Sequence, residues 1–189
     1  MTVGSVNPGR ATPPILVLGL GNMLLRDDGI GPLLVEQLSH RFAGKASQVE
    51  FLDGGTQGLA LMGHIADRRA LVILDALATG QKPGTVSVLA GLEALAFPAH
   101  RATTAHESNA SELLATAAML GDLPEHVYAV GIEPASITTG IGFSDEVDES
   151  LALALQKAEN VIQDLLLELE EPTSTGEDEA CAWPFQERY

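Results

Sequence analysis

The chain has 189 residues, 46% of them hydrophobic, a formal net charge of −16 and one cysteine. That length suits a single domain with a sizeable core. The charge excludes nucleic acid and anionic membrane as main partners, and the lone Cys181 excludes a disulfide framework or a thiolate metal cluster.

Residues 1–14, rich in Gly and Pro, read as a flexible leader; they lack the apolar core of a signal peptide. No apolar run reaches the ~18 residues of a membrane span. The expectation is a soluble, cytoplasmic, monomeric protein. "ILVLG" (Ile15 to Gly19) is wholly apolar, as a buried parallel strand is. A helix is expected from about Gly31, with Pro32 in its first turn and Leu33, Leu34 and Leu38 on one face. "VEFLD" (Val49 to Asp53) reads as a second strand, ended by Gly54, Gly55 and Thr56, and a short helix from Gly58 to about Ala66 follows. "ALVILDAL" (Ala70 to Leu77) is the third strand, and "GTVSVL" (Gly84 to Leu89) the fourth, antiparallel at an edge because only a short turn precedes it.

Gly91 to Ala105 reads as irregular. The next helix takes Ser108 as its N-cap and Gly121 as its stop. "HVYAVGIE" (His126 to Glu133) is the fifth strand, and a last helix runs from about Ser144 to Leu169. Strands alternating with helices predict a single α/β domain over residues 15–170, with a mostly parallel five-stranded twisted sheet and helices on both faces. Residues 171–189, polar and acidic, read as a disordered tail.

The stretch "LGLGNMLLRDDGIG", Leu18 to Gly31, starts a dinucleotide fingerprint at Gly19 and Gly21 but holds Leu24 where the third glycine belongs. Asp27 and Asp28 also lie where a phosphate would meet the positive helix terminus. Two carboxylates there compete with a phosphate and welcome a cation. The alternative is helix capping, which needs only one of them and suits Asp27 better. In a doubly wound sheet of order 2-1-3-4-5, strands 1 and 3 flank the switch point where ligands bind. Asp28 follows strand 1 and Asp75 ends the apolar part of strand 3. An acid at the end of a buried strand is costly unless paired or cation-bound, although Asp75 also has the option of capping a local turn. His106, at a loop-to-helix junction, is placed on the same face. Two carboxylates and an imidazole suit Ni, Zn, Mn or Fe, but the spacing alone is non-specific. Nothing marks a nucleophilic serine. A proton shared between Asp28 and Asp75 in the aspartic-protease manner stays open.

These segments, taken in order, resemble the nickel–iron hydrogenase maturation endopeptidases. "ILVLGLGNMLLRDDGIG" resembles the family's opening strand and its G-x-G-N-x-L-x-x-D-[DE] turn. "LDGGTQGLALM" resembles L-D-G-G-T-x-G, its most specific motif, and "ILDAL", "TTAHESNASELL" and "VGIEPASITTGIGFS" follow in register. The resemblance spans roughly Ile15 to Leu169. It implies an endopeptidase that removes the C-terminal extension of a hydrogenase large-subunit precursor once nickel has been inserted. It carries the metal contacts over to Asp28, Asp75 and His106, with nickel held by the precursor rather than owned by the enzyme. Where the family often has glutamate, this chain has the shorter Asp28. Asp53, Gly54, Gly55, Gly21 and Asn22 are implied to shape the cleft or the substrate turn. Gly19, Gly21, Gly54 and Gly55 equally suit strand-to-helix packing. Two other readings compete: a flavodoxin-like nucleotide-binding module, and a non-catalytic chaperone that checks nickel loading.

Overall fold

Six apolar or small residues, Ile15–Leu20, form β1, buried on both faces. In the computed structural model, which describes residues 12–96 and 110–170, this strand lies inside a five-stranded sheet. Its companions are β2 (Val49–Gly55), β3 (Ala70–Ala76), β4 (Val86–Ala90) and β5 (His126–Ile132). The order across the sheet is β2-β1-β3-β5-β4. The pairs β1–β2, β1–β3 and β3–β5 are parallel, and β4 runs antiparallel to β5. The antiparallel edge is as expected from the short turn. The expected order 2-1-3-4-5 is corrected at that edge, because β4 pairs with the outer side of β5 instead of entering between β3 and β5.

Helices cover both faces. On one, α1 (Ile30–Arg41) and α6 (Leu151–Glu170) pack Ile30, Leu34, Leu38, Ala158 and Ile162 against Ile15, Val17, Val72, Leu74 and Val130. On the other, α2 (Met62–Ile65), α3 (Leu92–Ala96) and α4 (Ala110–Leu120) place Ile65, Ala94, Leu113 and Leu114 on Leu16, Leu18, Leu71 and Ile73. The alternation along each strand, odd residues to one layer and even to the other, is the two-residue period of a pleated sheet buried on both sides.

Two expectations change. Residues 92–96, read as irregular, are helical. The single last helix is two: α5 (Asp145–Asp148), then α6. Between them Ser150 Oγ donates to the carbonyls of Gly84 (2.7 Å) and Glu146 (3.0 Å), tying the break to the turn before β4. Gly121 ends α4 with φ +79°, as expected of a glycine stop. The Ser108 cap, most of the leader and the acidic tail lie outside the described residues.

Candidate active site

The crevice forms where two neighbouring strands send their connections to opposite faces, which is where open α/β sheets bind ligands. β1 and β3 are adjacent and parallel, paired from Ile15–Ala70 to Gly19–Leu74. The start of α1 sits over their carboxyl ends: a Cβ on Gly31 would meet the carbonyls of Leu20 at 2.2 Å and Leu74 at 2.3 Å. Only glycine permits that approach. It brings Asp28, in the 3₁₀ turn Arg26–Gly29 just before α1, beside Asp75, the residue after Leu74.

The two carboxylates feel one another. Burial pushes Asp75 well above the usual carboxylate range; the Ala76 N–H, donating to Oδ1 at 2.7 Å, opposes this, and the charge of Asp28 adds to the rise. Asp75 keeps partial access to solvent at the crevice, so a ligand can reach it. Behind it, a Cβ on Gly131 would lie 1.9 Å from the Asp75 carbonyl, so β5 presses directly on its backbone. Asp28, also half-buried, accepts the Asn22 N–H through Oδ2 at 2.8 Å. Gly21 makes room for it: its φ is +122°, and a Cβ there would fall 1.9 Å from the Asp28 carbonyl. Gly21 and Asn22 thus shape the turn that fixes Asp28. Asn22 N–H, which a nucleotide phosphate would need, is already taken by a carboxylate of the protein itself.

Asp27 does not cap the helix it precedes; neither it nor Asp28 makes a side-chain capping bond there. Fully buried, it accepts the N–H groups of Ala135 (2.9 Å), Ser136 (2.8 Å) and Ser144 (2.7 Å) and the Ser144 hydroxyl (2.9 Å). It staples the loop after β5 to the aspartate turn, and Leu25 and Gly140 form a parallel bridge alongside. Glu133, at the end of β5, plays the same part for the loop after β3. It accepts the N–H and hydroxyl of Thr79 at 2.8 Å each and the N–H groups of Gly80 and Gln81 at 3.2 Å each. Glu133 went unassigned in the sequence, although it carries the signal that marked Asp75, an acid closing a buried strand.

Asp53 and Gly55 lie at the end of β2, one strand out from β1, and Asp53 Oδ1 accepts the Gly55 N–H at 3.0 Å. Gly54 is buried, and a Cβ on it would press on Leu18 and Leu61 at 2.8 Å, so its role here is packing. Gly19 likewise packs, under Gly31 and Val35. His106 lies outside the described residues. Among the described residues no three His, Cys, Asp or Glu side chains gather closely enough to hold a metal ion; of the three expected ligands, Asp28 and Asp75 are described, and they lie close together.

The Hydrogenase maturation protease family model matches residues 32–161, well over half of the chain. The chain belongs to the hydrogenase maturation protease family. The match begins just after Asp28 and takes in Asp53, Asp75 and His106. Over 150 residues the chain is 36% identical to the hydrogenase expression/formation protein HupD of Thiocapsa roseopersicina, covering 79% of this chain and 67% of that protein. It is 35% identical over 144 residues to the hydrogenase 2 maturation protease of Escherichia coli strain K12, covering 76% and 87%. The hydrogenase maturating endopeptidase HybD of E. coli superposes with a TM-score of 0.69 at 32% identity, over 80% of this chain and 93% of that one. The HybD maturation protease of Thermococcus kodakarensis does so at 0.57 and 30%, over 78% and 97%. This maturation protease therefore shares the α/β fold of its family and is a hydrolase of peptide bonds by membership. No helix among its described residues is long and apolar enough to cross a membrane.

Proposed function

We propose that this protein is the endopeptidase that removes the C-terminal extension of a nickel–iron hydrogenase large-subunit precursor, acting in the cytoplasm as a monomer on a precursor already loaded with nickel. The observation that carries the reading is the pairing of Asp28 with Asp75 at the sheet's switch point, where the close approach of Gly31 to the carbonyls of Leu20 and Leu74 sets the aspartate turn over the end of β3. Family membership supplies the reaction.

The donor set fits a precursor-held nickel ion. Carboxylate oxygens from Asp28 and Asp75 and an imidazole nitrogen from His106 suit that metal, and two carboxylates pressed together gain from a cation between them. An incomplete set of this kind binds metal weakly alone and completes a coordination sphere that the client begins. When bound, the metal supplies a template that orients the scissile bond and polarises its carbonyl. The chain's own residues do the rest. Asn22 and Ala76 N–H groups hold one oxygen each of Asp28 and Asp75. Asp28 and Asp75 are the carboxylates at hand to pass a proton as water adds to the carbonyl and the amide nitrogen leaves protonated. Gly21 and the Asp27-stapled loop keep the turn from shifting.

The test is the mass of the nickel-loaded precursor before and after incubation. Wild type shortens it at the C-terminus. Asp28→Asn, Asp75→Asn and His106→Ala each slow that step by about 100-fold or more, the upper end of what losing a metal-orienting group costs. Full processing by all three variants overturns the assignment, and a stable complex with unchanged precursor mass indicates a loading checkpoint without cleavage.

A further inference from the structure

At the amino end of the strands, opposite the aspartate crevice, Pro13, Phe42, Ala43, Ala46, Val49 and Phe51 line an open pocket of about 390 Å³. The Phe42 and Phe51 rings pack together there, with centroids 5.9 Å apart. Ala43 and Ala46 are exposed beside them. Glu50, the one charged lining residue, is ion-paired with Arg68. A preformed apolar pocket with two rings and its charge already paired fits an aromatic side chain.

The chain itself brings such a side chain to this end of the sheet. α6 finishes there: Glu168 Oε1 lies 3.7 Å from His126 Nε2, and His126, Ala70, Ile15 and Val49 stand in one row across the parallel strands β5, β3, β1 and β2. Three strand spacings, roughly 15 Å, separate the ends of that row. α6 and the pocket share one face of the sheet, since Leu165, Leu166 and Leu169 belong to the same apolar cluster as Phe42, Val49 and Phe51. Residues 171–189 follow α6, and their composition shifts part-way: an acidic run to Glu179 gives way to "ACAWPFQERY", Ala180 to Tyr189. Trp183, Phe185 and Tyr189 crowd into that stretch in a chain only 4% aromatic. The stretch of about 13 residues from Glu170 to Trp183 has a coil reach of about 20 Å and an extended reach of about 45 Å, enough for the crossing. Arg41 and Lys45, at the end of α1 beside the pocket, suit the passage of Glu177, Asp178 and Glu179. Residues 1–12, which enter at Pro13, hold no aromatic residue to compete.

We infer that Trp183 docks in this pocket and clasps the acidic C-terminal segment to the base of the sheet. The crevice of Asp28 and Asp75 lies at the other end of the strands, roughly 20 Å away, and stays open. The clasp is this chain's own: the family match ends at residue 161. It does not depend on the proteolytic reading.

The full chain carries its own reporters, because Trp183 is its only tryptophan and Cys181 its only cysteine. In native buffer Trp183 emission is expected to the blue of its position in denaturant, with acrylamide quenching reduced several-fold. Ala43→Asp and Ala46→Asp, at exposed positions outside the core, return both readouts to the denatured values while circular dichroism keeps the native spectrum. A nitroxide on Cys181 broadens the amide signals of residues 42–51, and the broadening survives dilution of the labelled chain with unlabelled protein. Native emission and quenching equal to the denatured values overturn the docking. So do a shielded Trp183 that both aspartate variants leave unmoved, and broadening centred elsewhere on the molecule. Broadening that passes from a nitroxide-bearing chain to an isotope-labelled chain without nitroxide puts a second copy in the pocket and overturns the intramolecular clasp.

Discussion

Asp75 shows how a single side chain can oppose folding and serve the site. Burial and the Asp28 charge hold its pKa above the ordinary carboxylate value of about 3.9. Below that pH, folded and unfolded chains both carry the proton, and the group is neutral in its effect. As pH rises, the unfolded chain ionises first while the folded chain retains its proton, so stability falls until the raised pKa is passed. Asp75→Asn removes the penalty. In metal-free protein the variant is expected to melt at a higher temperature than wild type at pH 8, with the gap closing towards pH 3.5. Scanning calorimetry across that range checks it, and a gap independent of pH contradicts it. The Asp28–Asp75 pair was legible in the sequence because an acid ending an apolar strand has few cheap explanations. The task of Asp27 was not: its partners, Ala135, Ser136 and Ser144, lie more than a hundred residues away.

The loop from the end of β5 to α5 packs Ile137 and Phe143 on the core, and one carboxylate gathers three of its backbone N–H groups. Asp27→Ala leaves three backbone N–H groups without their acceptor. Each such orphan costs about 1–3 kcal/mol when buried. The expected loss is about 3–5 kcal/mol, or a fall of about 10 °C in melting temperature. Residues 135–144 should lose amide-exchange protection first, since they depend on the staple most directly. Uniform loss of protection across the sheet would count against this. Strands and long helices were legible here because burial on both faces leaves continuous apolar runs. The split between α5 and α6 was hidden, since the hydrogen bonds of Ser150 to Gly84 and Glu146 are tertiary. The helical turn at 92–96 is too short to show a period.

Across the whole molecule, a net charge of −16 sets the working conditions. Self-repulsion disfavours the compact state and is screened as the Debye length falls from about 30 Å at 0.01 M salt to about 3 Å at 1 M. The melting temperature is expected to rise by several degrees between 0.01 M and 0.5 M sodium chloride, read by thermal denaturation. A flat response would mean that internal ion pairs already offset the repulsion. The same surface disfavours anionic partners and leaves cationic ones favoured. Topology was largely legible from the alternation of strand and helix. The exchange of β4 and β5 was not, because an antiparallel edge strand can be placed only by knowing which neighbour it pairs with.

Asp27 and Asp28 stand next to each other and do opposite things, one turned inward to grip a distant loop, the other outward to the crevice. They occupy a 3₁₀ turn, where each step along the chain rotates a side chain by about 120°. A one-residue insertion between Asn22 and Asp27 would swing both, aiming the outward acid at the interior and the gripping one at water. Descendants of this chain are therefore freer to vary the composition of that turn than its length.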